Sequence, residues 1–172
     1  MPVPSPPGPL DAVREREMRD AQASRYDRML GLRLLTPVEV SRLLAPLPAQ
    51  PGLRVLDVGC GTGRLTLPLL RRRARVVGVD FSQASLRVLR RKAASATVSP
   101  WLMQADARRL PLPDGWAQAV VSAQMLEHLP GATACRRALS EMARVLEPGA
   151  PLALSAYQRL PGLPVEGRHA GA

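Results

Sequence analysis

One stretch of this 172-residue chain reads Arg54-Val55-Leu56-Asp57-Val58-Gly59-Cys60-Gly61-Thr62-Gly63-Arg64, an apolar run followed by three alternate glycines. The apolar run is typical of a strand that is buried on both faces. Glycine adopts backbone angles closed to other residues, so the turn lets a ligand approach the main chain. A helix that follows from about Arg64 would present unpaired amides at its first turn. The stretch therefore predicts a polar cradle of nucleotide size.

The spacing of the glycines narrows the class of nucleotide. A dinucleotide fingerprint, G-x-G-x-x-G, counted from Gly59 would place its last glycine at position 64, where Arg64 stands. The pattern is instead D-x-G-x-G-x-G, beginning at Asp57. A second acid, Asp80, ends the next apolar run 21 residues after Gly59, where a carboxylate can accept hydrogen bonds from both ribose hydroxyls. The spacing disfavours a nicotinamide oxidoreductase.

Further motifs follow in a recognisable order and complete a family pattern. They are Asp106-Ala107, Leu110-Pro111, the apolar run 117–123, Leu126-Glu127-His128-Leu129 and Arg144-Val145-Leu146-Glu147-Pro148-Gly149. Together with the glycine turn and Asp80, this order resembles the class I S-adenosylmethionine-dependent methyltransferases, in their small-molecule type 11 branch. The resemblance covers residues 53–156 and implies S-adenosylmethionine as the cofactor.

The resemblance also implies roles for individual residues. Asp57 would orient the turn and the amino group of the cofactor, and Asp80 would hold the ribose. Asp106 and the backbone amide of Ala107 would bind the adenine ring. The implied cofactor-binding residues are Asp57, Gly59, Cys60, Gly61, Gly63, Asp80, Phe81, Asp106, Ala107 and Gln124.

The stretch 124–130 lies nearest the departing methyl group in the resembling enzymes. Glu127 and His128 form an acid/base pair there and are the candidate catalytic residues, with a structural role as the alternative. Some family members bind a divalent metal through Glu-x-x-Glu-His, but Gln124 stands at the first position, so no metal site is expected. Since the sulfonium already provides the electrophile, positioning donor and acceptor in line is the main catalytic contribution expected of the protein.

Alternating strand and helix patterns predict an α/β fold, a Rossmann-like doubly wound parallel sheet whose family order is 3-2-1-4-5. The expected organisation is a disordered, proline-rich N-terminus (1–10), an N-terminal helical segment (11–52), an S-adenosylmethionine-binding methyltransferase domain (53–156) and an irregular tail (157–172). The resembling enzymes continue with strands six and seven, which this sequence is expected to lack. Strand five is then an exposed edge through which a homodimer could form.

Local signals predict where several helices begin. Thr36 as a cap, Pro37 at the first position and Glu39 completing a capping box predict a helix that starts here and ends near Leu44 or Ala45. Pro68 predicts a late start or a kink in the helix after the glycine turn. Ser82 predicts the cap of the next helix. A charged helix is expected over 11–29, with Tyr26 as a lid candidate, and Cys135 is expected on a buried helix face.

The composition bears on partners and location. The net charge is +10, and 23 arginines stand beside the single lysine, Lys92. The absence of Ile and Asn indicates a codon bias toward arginine, and five aromatic residues leave little for base stacking, so nucleic acid is not expected as a partner. No apolar run has the ~18 residues of a membrane span, and the N-terminus has no secretory signal, so the expected location is cytoplasmic.

The expected function is transfer of a methyl group from S-adenosylmethionine to an O, N, C or S atom of a small organic acceptor. The alternative is a truncated, catalytically inactive cofactor-binding remnant or accessory subunit. Methylation of nucleic acid would rest on charge alone. The N-P-P-[YFW]-like motif of several nucleic-acid amino-methyltransferases is absent, because Gln124-Met125-Leu126-Glu127 stands in its place.

Overall fold

A computed structural model describes residues 30–156, with the backbone alone described for residues 30–36. The helices are α1 (Leu30–Leu44), α2 (Thr66–Arg71), α3 (Gln83–Lys92) and α4 (Gly131–Val145), with short 3-10 helices at Ala93–Ser95 and Leu126–His128. The strands are β1 (Arg54–Val58), β2 (Arg75–Asp80), β3 (Trp101–Gln104), β4 (Ala119–Ala123) and β5 (Leu152–Ser155). A helix separates β1 from β2, β2 from β3 and β4 from β5, as is typical of an α/β fold, whereas β3 passes to β4 without a helix.

The five strands form one parallel sheet in the order β3-β2-β1-β4-β5, which confirms the predicted topology. In the register of the sheet, Leu56 of the central strand lies between Val77 of β2 and Val120 of β4. Because all strands run in one direction, their carboxyl ends meet at a single edge of the sheet. That edge is where ligands bind in open α/β sheets.

Apolar side chains cover both faces of the central strands. On one face, Val55 and Val121 pack in a cluster that includes residues of α1 and α2. On the other, Leu56 and Val120 pack against the buried stripe of α4. That stripe includes Ala134, Cys135, Ala138, Met142 and Val145, which confirms the core position of Cys135. Burial of both faces explains the continuous apolar runs of the sequence.

Two of the predicted helix starts are confirmed. The helix after the glycine turn begins at Thr66, so Pro68 falls in its first turn, where a missing N–H leaves no helical hydrogen bond unmade. Ser82 caps α3, since its hydroxyl accepts the Ser85 N–H at 3.1 Å.

The predicted start of α1 is wrong. The helix begins at Leu30, and Pro37 lies inside it rather than at its first position. Thr36 therefore cannot be the N-cap, and the Glu39 carboxylate binds Arg64, Gln124 and Ser155 instead of closing a capping box. Packing of α1 in the core cluster through Leu43 and Leu44 outweighs the hydrogen bond that the proline removes.

Several expectations fall outside the described residues. These are the expected disorder of residues 1–10, the helix over 11–29 with Tyr26, and the irregular tail 157–172. Within residues 30–156, no helix has the length and apolar character of a membrane span.

Candidate functional site

The carboxyl ends of β1 to β4 bring the predicted site residues to one edge of the sheet. Gly59 follows β1, Asp80 ends β2, and Gln124 follows β4. Asp106 comes shortly after β3, and this end is tied to the neighbouring strand because the Ala105 N–H donates to the Asp80 carbonyl at 3.1 Å. Residues that are distant in sequence therefore border a common surface.

The three glycines of the turn all have left-handed backbone angles, with φ of 73° at Gly59, 52° at Gly61 and 103° at Gly63. They differ in what surrounds them. A Cβ at Gly59 would lie 2.4 Å from Met125 Cγ, and one at Gly63 would lie 2.5 Å from Leu89 Cδ1, so both positions are packed against the core. At Gly61 the nearest atom is the Gly59 carbonyl oxygen at 4.0 Å, so this side of the turn is open. Gly61 is the point where another molecule can approach the main chain.

The Asp80 carboxyl joins the turn to the end of β2. Its Oδ2 accepts the Gly61 N–H at 2.7 Å, and its Oδ1 accepts the Ser82 N–H at 2.8 Å. These two bonds, one to each oxygen, fix the orientation of the carboxyl. The acid that the spacing predicted as a ribose ligand therefore lies beside the open side of the turn.

Asp57 is buried below the turn, with 1% of its surface exposed. The Thr66 hydroxyl at the start of α2 donates to its Oδ2 at 2.6 Å. Burial raises the pKa of Asp57 from 3.8 to about 7, the Asp80 charge adds to this rise, and the Thr66 hydrogen bond opposes it. Thr66 was not recognised in the sequence, although a hydroxyl at a helix start is a visible signal.

We expect the stability of the chain to fall as the pH rises from about 4 to about 7. Between the unfolded pKa of 3.8 and the folded pKa of about 7, the folded state binds the proton of Asp57 and the unfolded state releases it. The contribution of Asp57 to the free energy of unfolding is fully present below its unfolded pKa and is lost as the pH rises through its folded pKa. This contribution is on the order of a few kcal/mol. Urea unfolding of the wild type and Asp57→Asn across this range measures it. Parallel profiles for the two proteins would contradict the assignment.

Asp106 is held by the residue two positions later. Its carboxylate accepts bonds from the backbone N–H of Arg108 at 2.8 Å and from that side chain, with the closest guanidinium contact at 2.6 Å. Burial raises the pKa of Asp106, but the Arg108 hydrogen bonds and charge outweigh it, so the net pKa is below its ordinary value. The predicted adenine ligand is thus ionised and oriented. Sequence reasoning missed its arginine partner.

Two other predicted cofactor residues contact the protein itself. The Cys60 side chain is buried against Gly78, where an added Cβ would lie 2.9 Å from its sulfur. Burial raises the pKa of this thiol, which keeps it protonated. The Phe81 carbonyl accepts the Gln104 side-chain amide at 3.1 Å, which links the ends of β2 and β3.

The stretch after β4 places its polar residues in different surroundings. Gln124 is buried and has a left-handed backbone with φ of 55°, which is uncommon for a residue other than glycine. The Glu127 Oε2 is buried and has no hydrogen-bond partner, whereas the His128 residue is exposed. Of the two candidate catalytic residues, Glu127 therefore has the more constrained position.

Charged residues that were not predicted for the site also border it. Glu39 of α1 and Arg64 after the glycine turn form an ion pair of 2.9 Å. No local pattern identifies this pair, because its members are separated by 25 residues. Across residues 30–156, no cluster of three or more His, Cys, Asp or Glu side chains has the arrangement of a metal site.

Comparisons with known proteins show which family the chain belongs to. A family profile described as a methyltransferase domain matches residues 55–149, more than half of the chain. The chain is 39% identical over 114 residues to a ubiquinone biosynthesis O-methyltransferase of Hahella chejuensis, covering 66% of this chain and 47% of that protein. It is 37% identical over 155 residues to a malonyl-[acyl-carrier protein] O-methyltransferase of Halorhodospira halophila, covering 83% and 48%. The chain thus spans about half the length of these curated relatives.

Solved structures share the fold. One is magnesium protoporphyrin IX methyltransferase from Synechocystis with bound S-adenosylmethionine. Its TM-score is 0.66 at 22% identity, and the match covers 84% of this chain and 74% of that one.

Proposed function

Because this chain belongs to the class I S-adenosylmethionine-dependent methyltransferases, we propose that it transfers a methyl group from S-adenosylmethionine to a small organic acceptor. The observation that supports the proposal is the open side of Gly61 beside the oriented carboxyl of Asp80. A turn with free space over its main chain and an acid next to it fits an adenosyl group whose ribose hydroxyls need an acceptor.

The residues of this chain would hold the cofactor from several sides. Asp80 would accept hydrogen bonds from the ribose hydroxyls, and Asp106 with the Ala107 amide would bind the adenine. Asp57 lies below the turn and would orient it through Thr66. When bound, the cofactor supplies an electrophilic methyl group on a sulfonium. The protein then needs chiefly to align the acceptor and exclude water, which can account for a large part of the barrier.

We assign Glu127 to the acceptor side of the site. Its buried Oε2 lacks a partner, and a buried acceptor without a donor is costly unless a ligand satisfies it. Glu127 lies in the 3-10 helix that directly follows β4. A hydroxyl or N–H of the acceptor would satisfy this oxygen, and the carboxyl could take its proton as the methyl group is transferred.

We expect Glu127→Gln to stabilise the chain while it slows methyl transfer. The neutral amide has a smaller desolvation cost than an unpartnered carboxylate, so the free energy of unfolding should rise by about 0.5 to 2 kcal/mol at pH 8. Urea unfolding measures this gain, and the rate of S-adenosylhomocysteine release measures the loss of activity. Asp114→Asn is the control for neutralising a carboxylate, because Asp114 is 81% exposed and pairs with Arg144, so both measurements should match the wild type. A loss of stability in Glu127→Gln would contradict the assignment.

The acceptor class is tested with oxygen nucleophiles. The curated relatives carry names of O-methyltransferases of ubiquinone biosynthesis and of malonyl-[acyl-carrier protein]. A catechol and a malonyl thioester are therefore the first acceptors to incubate with the chain and S-adenosylmethionine. Mass spectrometry should detect a product heavier by one methylene together with S-adenosylhomocysteine. S-adenosylhomocysteine binding without turnover of any O, N, C or S nucleophile would instead support an inactive cofactor-binding unit.

The segment 53–156 would be the cofactor-binding unit, and it would act in the cytoplasm on a small-molecule acceptor rather than on nucleic acid. In the part of the chain that the structure describes, β5 pairs with β4 alone. We propose that a second copy can pair with this edge. Light scattering of the purified chain distinguishes a dimer from a monomer.

A further inference from the structure

Glu39 joins α1 to the carboxyl ends of the sheet through four hydrogen bonds. Its Oε1 accepts from the Ser155 hydroxyl at 2.5 Å and the Gln124 amide nitrogen at 3.0 Å. Its Oε2 accepts from Arg64 at 2.9 Å and from the same amide nitrogen at 3.0 Å. Arg64 follows the glycine turn, Gln124 follows β4, and Ser155 ends β5. A single carboxylate therefore contacts the ends of three separate chain segments.

The Glu39–Arg64 ion pair is shielded from water, with 14% and 15% of the two side chains exposed. Moving two charges out of water costs hydration free energy, and the attraction between them offsets this cost only in part. A shielded ion pair is therefore weak evidence of a net contribution to stability. Removing one member is costly, however, because the other stays buried without its partner. The location of the pair at the strand ends indicates that it serves the geometry of the site.

The contacts of Glu39 and Ser155 fix both the backbone and the side chain of Gln124. Its left-handed backbone is held by its own N–H, which donates to the Ser155 carbonyl at 2.8 Å, and its side chain is held by both oxygens of Glu39. Uncommon backbone angles persist where the surroundings over-determine them, and such positions cluster at functional sites. The residue next to the proposed methyl-transfer point is thus held from α1.

We propose that Glu39 is a positioning residue of the methyl-transfer site. It holds the Gln124 amide and the Arg64 guanidinium in the positions from which they border the cofactor. This inference rests on the proposed function, and Glu39 acts through these two residues rather than by touching the cofactor.

The test compares three variants by calorimetric titration with S-adenosylhomocysteine and by thermal unfolding. Glu39→Gln should weaken binding about tenfold, the scale of one hydrogen bond to a charged group. Combining it with Arg64→Gln removes both charges, so the double variant should recover unfolding temperature but not affinity. Glu141→Gln is the matched control, because Glu141 is also a shielded partner of an arginine, at 19% exposure, and binds Leu110 and Arg144 rather than the site. Its affinity should stay within about twofold of the wild type.

Two outcomes would overturn the positioning role. One is an affinity of Glu39→Gln equal to that of Glu141→Gln, and the other is a double variant that recovers affinity together with stability. A measurement on the ligand-free chain tests the role of Glu39 independently of cofactor binding. Hydrogen exchange of the Gln124 N–H in the ligand-free chain should be about tenfold faster in Glu39→Gln than in Glu141→Gln. Equal exchange would overturn the role even if the wild type bound no S-adenosylhomocysteine, which would itself contradict the proposed function.

Discussion

Gly59→Ala should abolish measurable cofactor binding and lower the free energy of unfolding by about 2 to 5 kcal/mol. The new Cβ would lie 2.4 Å from Met125 Cγ and 2.7 Å from Met125 Cβ. The second contact is close to the Met125 backbone, so a rotamer change alone cannot relieve it. The stretch after β4 and the glycine turn must therefore separate, which deforms the cradle. Urea unfolding and titration with S-adenosylhomocysteine measure the two effects.

Gly149→Ala is the matched control for backbone strain. Gly149 has φ of 79°, close to the 73° of Gly59, but an added Cβ there has no neighbour within 4 Å. It should cost only the left-handed penalty of roughly 1 to 2 kcal/mol and leave binding intact. Equal losses in the two variants would show that close packing of Gly59 against Met125 has no part in the site.

Asp80→Ala should weaken S-adenosylhomocysteine binding by about 1.5 to 3 kcal/mol, or roughly 10- to 150-fold. The substitution removes the proposed ribose acceptor. It also leaves the Gly61 and Ser82 N–H groups without the oxygens that orient them at 2.7 and 2.8 Å. The turn then loses both its ligand contact and its tie to β2. Equilibrium dialysis with labelled S-adenosylhomocysteine measures the loss.

Asp114→Ala serves as the control for removal of an aspartate. Its side chain is 81% exposed and pairs with Arg144, so binding should match the wild type. Unchanged affinity in Asp80→Ala, with the control also unchanged, would contradict the assignment of the ribose site.

The placement of the glycine turn beside Asp80 was predictable because its signals are local. Alternate glycines after a buried apolar run and an acid at the end of the next run each follow from neighbouring residues, and parallel strands bring their carboxyl ends together. The sheet order came from the family resemblance and is confirmed. The sequence could not predict that Gly59 and Gly63 are closely packed and that Gly61 is open. Met125 lies against Gly59, and Leu89 against Gly63, only in the folded chain.

The contribution of α1 could not be read from the sequence. Its start was misplaced because Pro37 is a strong local signal that tertiary packing overrides. The partners of Glu39 lie 25, 85 and 116 residues away, so no motif describes them. Arg108 is different, since it lies two residues from Asp106 and a local ion pair there was foreseeable.

The most direct test of the account is calorimetric titration of S-adenosylhomocysteine into the wild-type chain, with circular dichroism to establish that the protein is folded. We expect saturable binding at one site per chain. A folded chain that shows no saturable heat of binding would contradict the central claim, that the turn beside Asp80 is a cofactor site.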